Sequence, residues 1–430
     1  MDKVQVVLPT HYDLVVGDTF QLFYRGIIEA VSPYCYDIVA VCEKGRNYPR
    51  YFEFTPEEAG DYQLTITVYD NDKSVIGSGK TILRVCEVLR SPEKEISILC
   101  VGDSLTASGI WVQEAHRRLT ATDGEPCGHG LSGFRFIGNK RQGDTGWEGY
   151  GGWTWDSFTT CGSYLSAAVW IDCKHGKTAI DQHSIWKDEN GYLWKLETIE
   201  KERLKFNRMM HRGQKPDSGT TLFHIENAQN TSKIVVDQSK YESRNPFWNE
   251  KEEKVDFIEY CRKMEVKSID AVYIMLSWNG QSAERSSLVE FCQTMVEKGK
   301  SFVDILHIQY PMAKVKIMGL QMPSMNGGTG ASYGAKLPYC DDYDLTRFVL
   351  ELNRAYEAWT EEEAYCGFME FINISGQFDS ENNMPYAEKN VNTRSKVTER
   401  IGTNGLHPLT EGYLQIGDAV YRNMVKSFCQ

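Results

Sequence analysis

The chain has 430 residues, 41% of them hydrophobic and 25% charged, with a formal net charge of −12. That length suggests two to three domains, and an acidic balance without a basic run argues against nucleic acid, whose phosphates select clustered Lys and Arg. No run of about eighteen apolar residues occurs, so no membrane span is expected. The first residues, Met1 to Gln5, lack the apolar core of a signal peptide, so cytoplasmic residence is the default expectation, with release from the cell or association with a phage particle as the alternatives. Twelve cysteines contain no C-x-x-C pair, and Cys100, Cys261 and Cys292 sit in apolar segments, which reads as buried reduced thiols.

In chain order, residues 1–90 read as all-β. Alternating runs recur at Val4 to Leu8, Thr19 to Tyr24 and Ile38 to Val41, separated by turn residues. Glu58 to Val68 resembles the tyrosine-corner segment of immunoglobulin-like sandwiches, with Tyr62 as the corner tyrosine and Leu64 where antibody domains place a cysteine. A small β-sandwich is therefore expected here, with Ser91 to Glu95 as linker and packing as its default role.

The apolar run Ile96 to Val101 then stops at Gly102-Asp103-Ser104-Leu105 and feeds a helix over Trp111 to Leu119. A strand, a tight turn and a helix in that order can hold a serine hydroxyl at the carboxyl edge of a sheet, where open α/β sheets place their sites. A Ser after Asp in a turn is otherwise an ordinary helix cap. Glu148 to Thr154 is glycine-rich, as backbone is where it must approach another group closely. The stretch from Gly152 to the next strand is too long for one crossover, so about 155–250 is expected to be a β-rich insertion. Within it, Ile185 to Lys195 reads as a hairpin with an Asn-Gly turn. The insertion reads equally as a substrate-shaping lid and as a surface elaboration. Cys161, Cys173, Lys174, His175 and His183 form a loose cluster without tetrahedral ligand spacing, so no metal is expected.

Ala271 to Leu276 reads as a buried strand that leaves Asn279 at the same sheet edge, followed by a helix over Leu288 to Leu306. A strand from Lys314, a helix over Asp344 to Thr360 and a strand near Gly367 to Ile374 continue the alternation, which predicts a parallel sheet flanked by helices. His407, in Asn404-Gly405-Leu406-His407-Pro408, precedes a last helix over Tyr413 to Val425. Trp153, Trp155, Trp278, the stretch Met325 to Gly330 and Arg394 are candidates for a pocket rim. Aromatic faces there would suit sugar rings, although a buried core role is the default for each tryptophan.

The order Ser, Gly, Asn, His resembles that of the SGNH (GDSL-type) hydrolase family, over most of residues 95–430. Gly102 to Leu105 is a full match to its first block. Gly152-Trp153-Thr154 best fits the second, with Gly151 the near alternative. The third keeps only Asn279, and the last keeps His407 with Asn404 where the family has aspartate. The resemblance implies an α/β fold: a flavodoxin-like three-layer α/β/α hydrolase domain with a parallel sheet over 91–430, preceded by the sandwich over 1–90. It also implies Ser104 as nucleophile, His407 as base, and an oxyanion hole of the Ser104 N–H, the Gly152 N–H and the Asn279 side chain. No cofactor is implied. Asn404 would accept from His407 Nδ1, or another acid (Glu399, Asp418) would replace it, or the site would be catalytically weak. The expected activity is serine ester hydrolysis that removes acetyl or short acyl groups from a carbohydrate, with Trp278, Trp153 and Arg394 as substrate contacts. The rival expectation is a weak or inactive scaffold that binds glycans or surfaces.

Overall fold

A computed structural model describes residues 4–161, 167–173, 180–209, 215–225, 233–279, 287–324, 327–333 and 342–430. The chain divides into two compact units. The first comprises Met1–Gly151, Val266–Lys300 and Tyr310–Gln430, and the second Gly152–Glu265 and Ser301–Gln309. The fold is mixed α/β with a parallel sheet. Residues 1–90 lie inside the first unit.

In the first unit, β1 (Ile96–Gly102) is buried along its whole length. A strand buried on both faces has no polar side to show, which is why it reads as one apolar run. It pairs in parallel with β2 (Phe134–Ile137), β3 (Thr145–Gly149) and β4 (Ala271–Met275). The parallel order continues through β5 (Lys314–Met318) to β6 (Met369–Ile372). Its helices include α1 (Ser104–Ala107), α2 (Ile110–Thr120), α3 (Leu288–Gln309, whose last residues belong to the second unit), α4 (Asp342–Glu361) and α5 (Thr410–Phe428). On α4, Leu345, Val349, Leu352, Tyr356 and Trp359 are buried at helical spacing. Helices α2 and α5 pack closely, and a Cβ on Gly417 would stand 2.8 Å from the Trp111 carbonyl oxygen.

The same unit holds the N-terminal strands. Four of them, His11–Val15, Val75–Cys86, Gly60–Tyr69 and Asp37–Val41, form one sheet, and Phe20–Phe23, Tyr51–Phe54 and Arg46–Asn47 form another. Leu14, Phe20, Leu22, Phe52, Leu64, Ile66 and Leu83 share one apolar cluster drawn from both sheets. Tyr62 donates its hydroxyl to the Glu58 carbonyl at 3.4 Å. This region is fastened to the parallel-sheet part by buried ions. Asp18 accepts from Arg118 on α2 and from Arg422 on α5, each at 2.7 Å, and the two guanidinium groups hold its carboxyl below the usual range against the cost of burial.

The second unit is built on a seven-stranded antiparallel sheet, with Trp186, Trp194, Leu196, Leu204 and Phe206 in its core. The hairpin read from the sequence is present: Ile185–Asp188 pairs with Leu193–Glu200, Trp186 opposite Trp194, around Gly191 at φ 86°.

Candidate active site

Strand β1 ends at Gly102 because only glycine fits there. A Cβ would lie 2.1 Å from Thr106 Oγ1 and 2.6 Å from the Met275 carbonyl oxygen. Asp103 follows with no exposed surface. Its Oδ1 accepts from the Leu105 N–H at 3.0 Å and caps α1. Its Oδ2 accepts from Asn279 Nδ2 at 3.2 Å. Burial pushes the Asp103 carboxyl up to about 7, against the pull of those hydrogen bonds. Ser104 is the first residue of α1.

The neighbours of β1 bring their loops to the same edge. Met275 at the end of β4 is level with Gly102. Ser277 then adopts φ 106°, which a non-glycine residue holds only when its surroundings fix it. Its hydroxyl is bonded to Tyr356 of α4, and the turn leads directly to Asn279. On the other side, Gly149 is level with Gly102, and the Tyr150 N–H donates to the Gly102 carbonyl at 3.0 Å. Gly149 also allows α1 to lie close, since a Cβ there would stand 2.4 Å from the Ala107 nitrogen. A Cβ on Gly151 would come to 3.9 Å from Ser104 Cβ. Of the two glycines weighed in the sequence, Gly151 thus stands beside Ser104 within the first unit. Gly152, at φ 79°, belongs to the second unit.

His407 Nε2 lies 2.9 Å from Ser104 Oγ, across 303 residues of chain. Burial lowers the pKa of the ring below its ordinary 6.5, so at neutral pH the imidazole is the free base. Asn404 does not meet the ring as expected. Its Oδ1 accepts from the Leu406 and His407 backbone N–H groups, each at 3.0 Å. An Asx turn satisfies the carboxamide oxygen locally, before the ring can compete for it. Among the described residues, no carboxylate is hydrogen-bonded to the His407 ring. Asp418 is engaged by Arg118 at 2.5 Å, and Glu399 is exposed on the strand Thr398–Gly402.

The aromatic rim expected from the sequence is not where these side chains lie. Trp278 is 4% exposed, its ring set edge-on to Phe348, and its indole N–H donates to Gln321 Oε1 at 2.9 Å. Trp153 and Trp155 are buried in the second unit, Trp153 against Phe158 and Trp155 against Phe302. Large apolar rings gain more by entering a core than by lining an edge. Arg394 is exposed in the turn between Tyr386–Asn390 and Thr398–Gly402. Gly280, Met325, Asn326, Lys174 and His175 lie outside the described residues.

One residue was not singled out from the sequence. Gln321, fully buried just past β5, donates Nε2 to the Leu406 carbonyl at 2.6 Å. Its only signal was a long polar side chain at the carboxyl end of a core strand. A hollow of about 330 Å³ borders Ser324, whose N–H donates to the Gly405 carbonyl. It is lined by Tyr34, Arg50, Ser324, Glu381, Tyr386 and Arg400, among others. Elsewhere, His11, Asp13 and Glu370 place potential ligand atoms within 4.8 Å of one another. Glu370 already accepts from Lys316, Lys426 and Arg84, and against the cost of burial His11, Lys316 and Lys426 hold its carboxyl far below the usual range. The group is an ion network with its charge met.

No protein-family model matches the chain, and a search of curated proteins finds no match. Among solved structures, it is similar to Est24, a carbohydrate acetylesterase from Sinorhizobium meliloti, at 14% identity and a TM-score of 0.36, over 78% of this chain and 100% of that one. A carbohydrate esterase family 3 protein from Talaromyces cellulolyticus matches at 11% identity and a TM-score of 0.36, over 77% and 97%. A peptidoglycan O-acetylesterase matches at 12% and 0.29, over 78% and 92%.

Proposed function

We propose that this chain is a serine ester hydrolase of the SGNH type that removes acetyl or another short acyl group from a carbohydrate. The observation that carries the proposal is the 2.9 Å approach of His407 Nε2 to Ser104 Oγ at the carboxyl edge of a parallel sheet. A neutral imidazole in hydrogen-bond reach of a hydroxyl is the arrangement that activates a serine nucleophile. In this reading Ser104 attacks the ester carbonyl while His407 takes its proton. The tetrahedral oxyanion is held by the Ser104 N–H, the Asn279 amide and the Gly151 N–H. Collapse returns the proton from His407 to the leaving sugar hydroxyl and leaves an acyl-enzyme. Water, deprotonated by His407, then releases the acid. His407 works here without a carboxylate on its ring, and Asn404 serves by fixing the loop.

The carbohydrate part of the proposal is supported by the hollow that Ser324 borders. Two tyrosines, two arginines and a glutamate on its wall, Tyr34, Tyr386, Arg50, Arg400 and Glu381, suit a polyol better than an acyl chain. Residues 1–90 are proposed as the immunoglobulin-like accessory domain and 91–430 as the hydrolase domain, with its insertion at about 155–250.

The test is hydrolysis of p-nitrophenyl acetate and of acetylated oligosaccharides by the wild type and by Ser104→Ala. Turnover by the wild type and none above background by the variant is the expected result. Equal rates for the two proteins would sink the proposal and favour the rival reading of a glycan-binding scaffold.

A further inference from the structure

We infer that Gln321 is a positioning residue that locks the oxyanion loop to the base loop. This inference rests on the Ser104–His407 reading of the site. The side chain spans two segments that meet only in the folded chain. Its Oε1 accepts from the indole N–H of Trp278, the residue before Asn279. Its Nε2 donates to the carbonyl of Leu406, the residue before His407. An indole nitrogen is a donor only and a backbone carbonyl an acceptor only, so the two partners fix which way the amide points. The amide serves both at once. A carboxylate at this place would face the Leu406 carbonyl oxygen with like charge, and an apolar side chain would leave two buried polar groups unpaired.

The attachment does not stand alone. Three residues on, the Ser324 N–H donates to the Gly405 carbonyl at 2.9 Å. The segment after β5 therefore holds two consecutive carbonyls of the base loop. That segment is held from the N-terminal region by Arg25, which is 5% exposed and donates to the Pro323 carbonyl at 2.6 Å and to Ser380 Oγ at 2.7 Å. Asn404 braces the same loop from inside through the Leu406 and His407 N–H groups. With no carboxylate behind the ring among the described residues, the position of His407 relies on how its backbone is held. Gln321 couples that backbone to the strand end that presents Asn279.

The test compares the wild type with Gln321→Met, which keeps the length and loses both hydrogen bonds, and with Trp278→Phe, which removes only the indole donor. Two readouts are taken on folded protein. The first is kcat and KM on p-nitrophenyl acetate. The second is NMR titration of the His407 ring. For Gln321→Met, kcat is expected to fall at least about tenfold with KM little changed, because a displaced base slows chemistry more than binding. The loosened ring hydrates, and its titration moves up towards the ordinary histidine value. Trp278→Phe gives smaller changes in the same directions, and it stands in if the methionine variant does not fold. A His407 titration that stays where it is in the wild type, in whichever folded variant is obtained, overturns the inference, whatever the rates do. The titration needs no turnover. A wild type without Ser104-dependent hydrolysis therefore refutes the proposed function separately, while the ring's behaviour still decides the role of Gln321.

Discussion

Replacing Asn404 by aspartate adds a carboxylate to the loop that carries His407 and tests how this site runs without one. The Asn404 Oδ1 accepts from two backbone N–H groups at 3.0 Å, and a carboxylate accepts the same bonds, so the loop should keep its shape. At an assumed separation of about 6 Å, the attraction between the new charge and the imidazole is worth roughly 0.7–2.8 kcal/mol for effective dielectrics of about 80 down to 20. That attraction favours the protonated ring and raises its pKa by about 0.5–2 pH units. In the wild type, burial holds the His407 pKa below 6.5, so the acid limb of kcat/KM lies below that pH. In Asn404→Asp the limb moves up by that interval. The variant is slower than the wild type near pH 6 and as fast or faster above the new limb, where a more basic imidazole takes the serine proton more readily. The assay is kcat/KM on p-nitrophenyl acetate from pH 5 to 9. An acid limb that does not move would refute the reasoning, because either His407 is not the titrating base or residue 404 does not face it.

Other outcomes follow from the same corner of the fold. Folding raises the Asp103 pKa to about 7, so its contribution to stability is complete below the unfolded value near 3.8 and is lost as pH rises through about 7. Urea denaturation at pH 5 and pH 8 should show a fall that Asp103→Asn shares less, by up to about 2.6 kcal/mol; an identical fall in both proteins would contradict the assignment. Gly149→Ala should push α1 away, since the added Cβ would meet the Ala107 nitrogen at 2.4 Å. A loss of about 1–3 kcal/mol in chemical denaturation is expected, with a fall in kcat because Ser104 rides on α1; a variant as stable and as active as the wild type would show that the close approach does not matter.

Much of the site was legible before folding was considered. An apolar run long enough for a fully buried strand, a Gly-Asp-Ser turn and an amphipathic helix announced the Ser104 corner, and β1, α1 and α2 stand there. Asn279 and His407 were legible as polar residues directly after a core strand and directly before the last helix. What misled was the role of individual side chains. The three tryptophans were offered a rim and took cores. Asn404 was offered a ring and took two backbone amides, because a partner two or three residues away is always within reach.

The sequence by itself determined the elements and the order of the functional residues, because strand burial, helix capping and glycine turns depend on neighbours in the chain. Tertiary structure alone decided that Ser104 and His407 touch across 303 residues, that Gly151 stands beside Ser104, and that Gln321 joins Trp278 to Leu406. Those facts depend on sheet register and on competition among hydrogen-bond partners distant in sequence, and neither is written in any local pattern of residues.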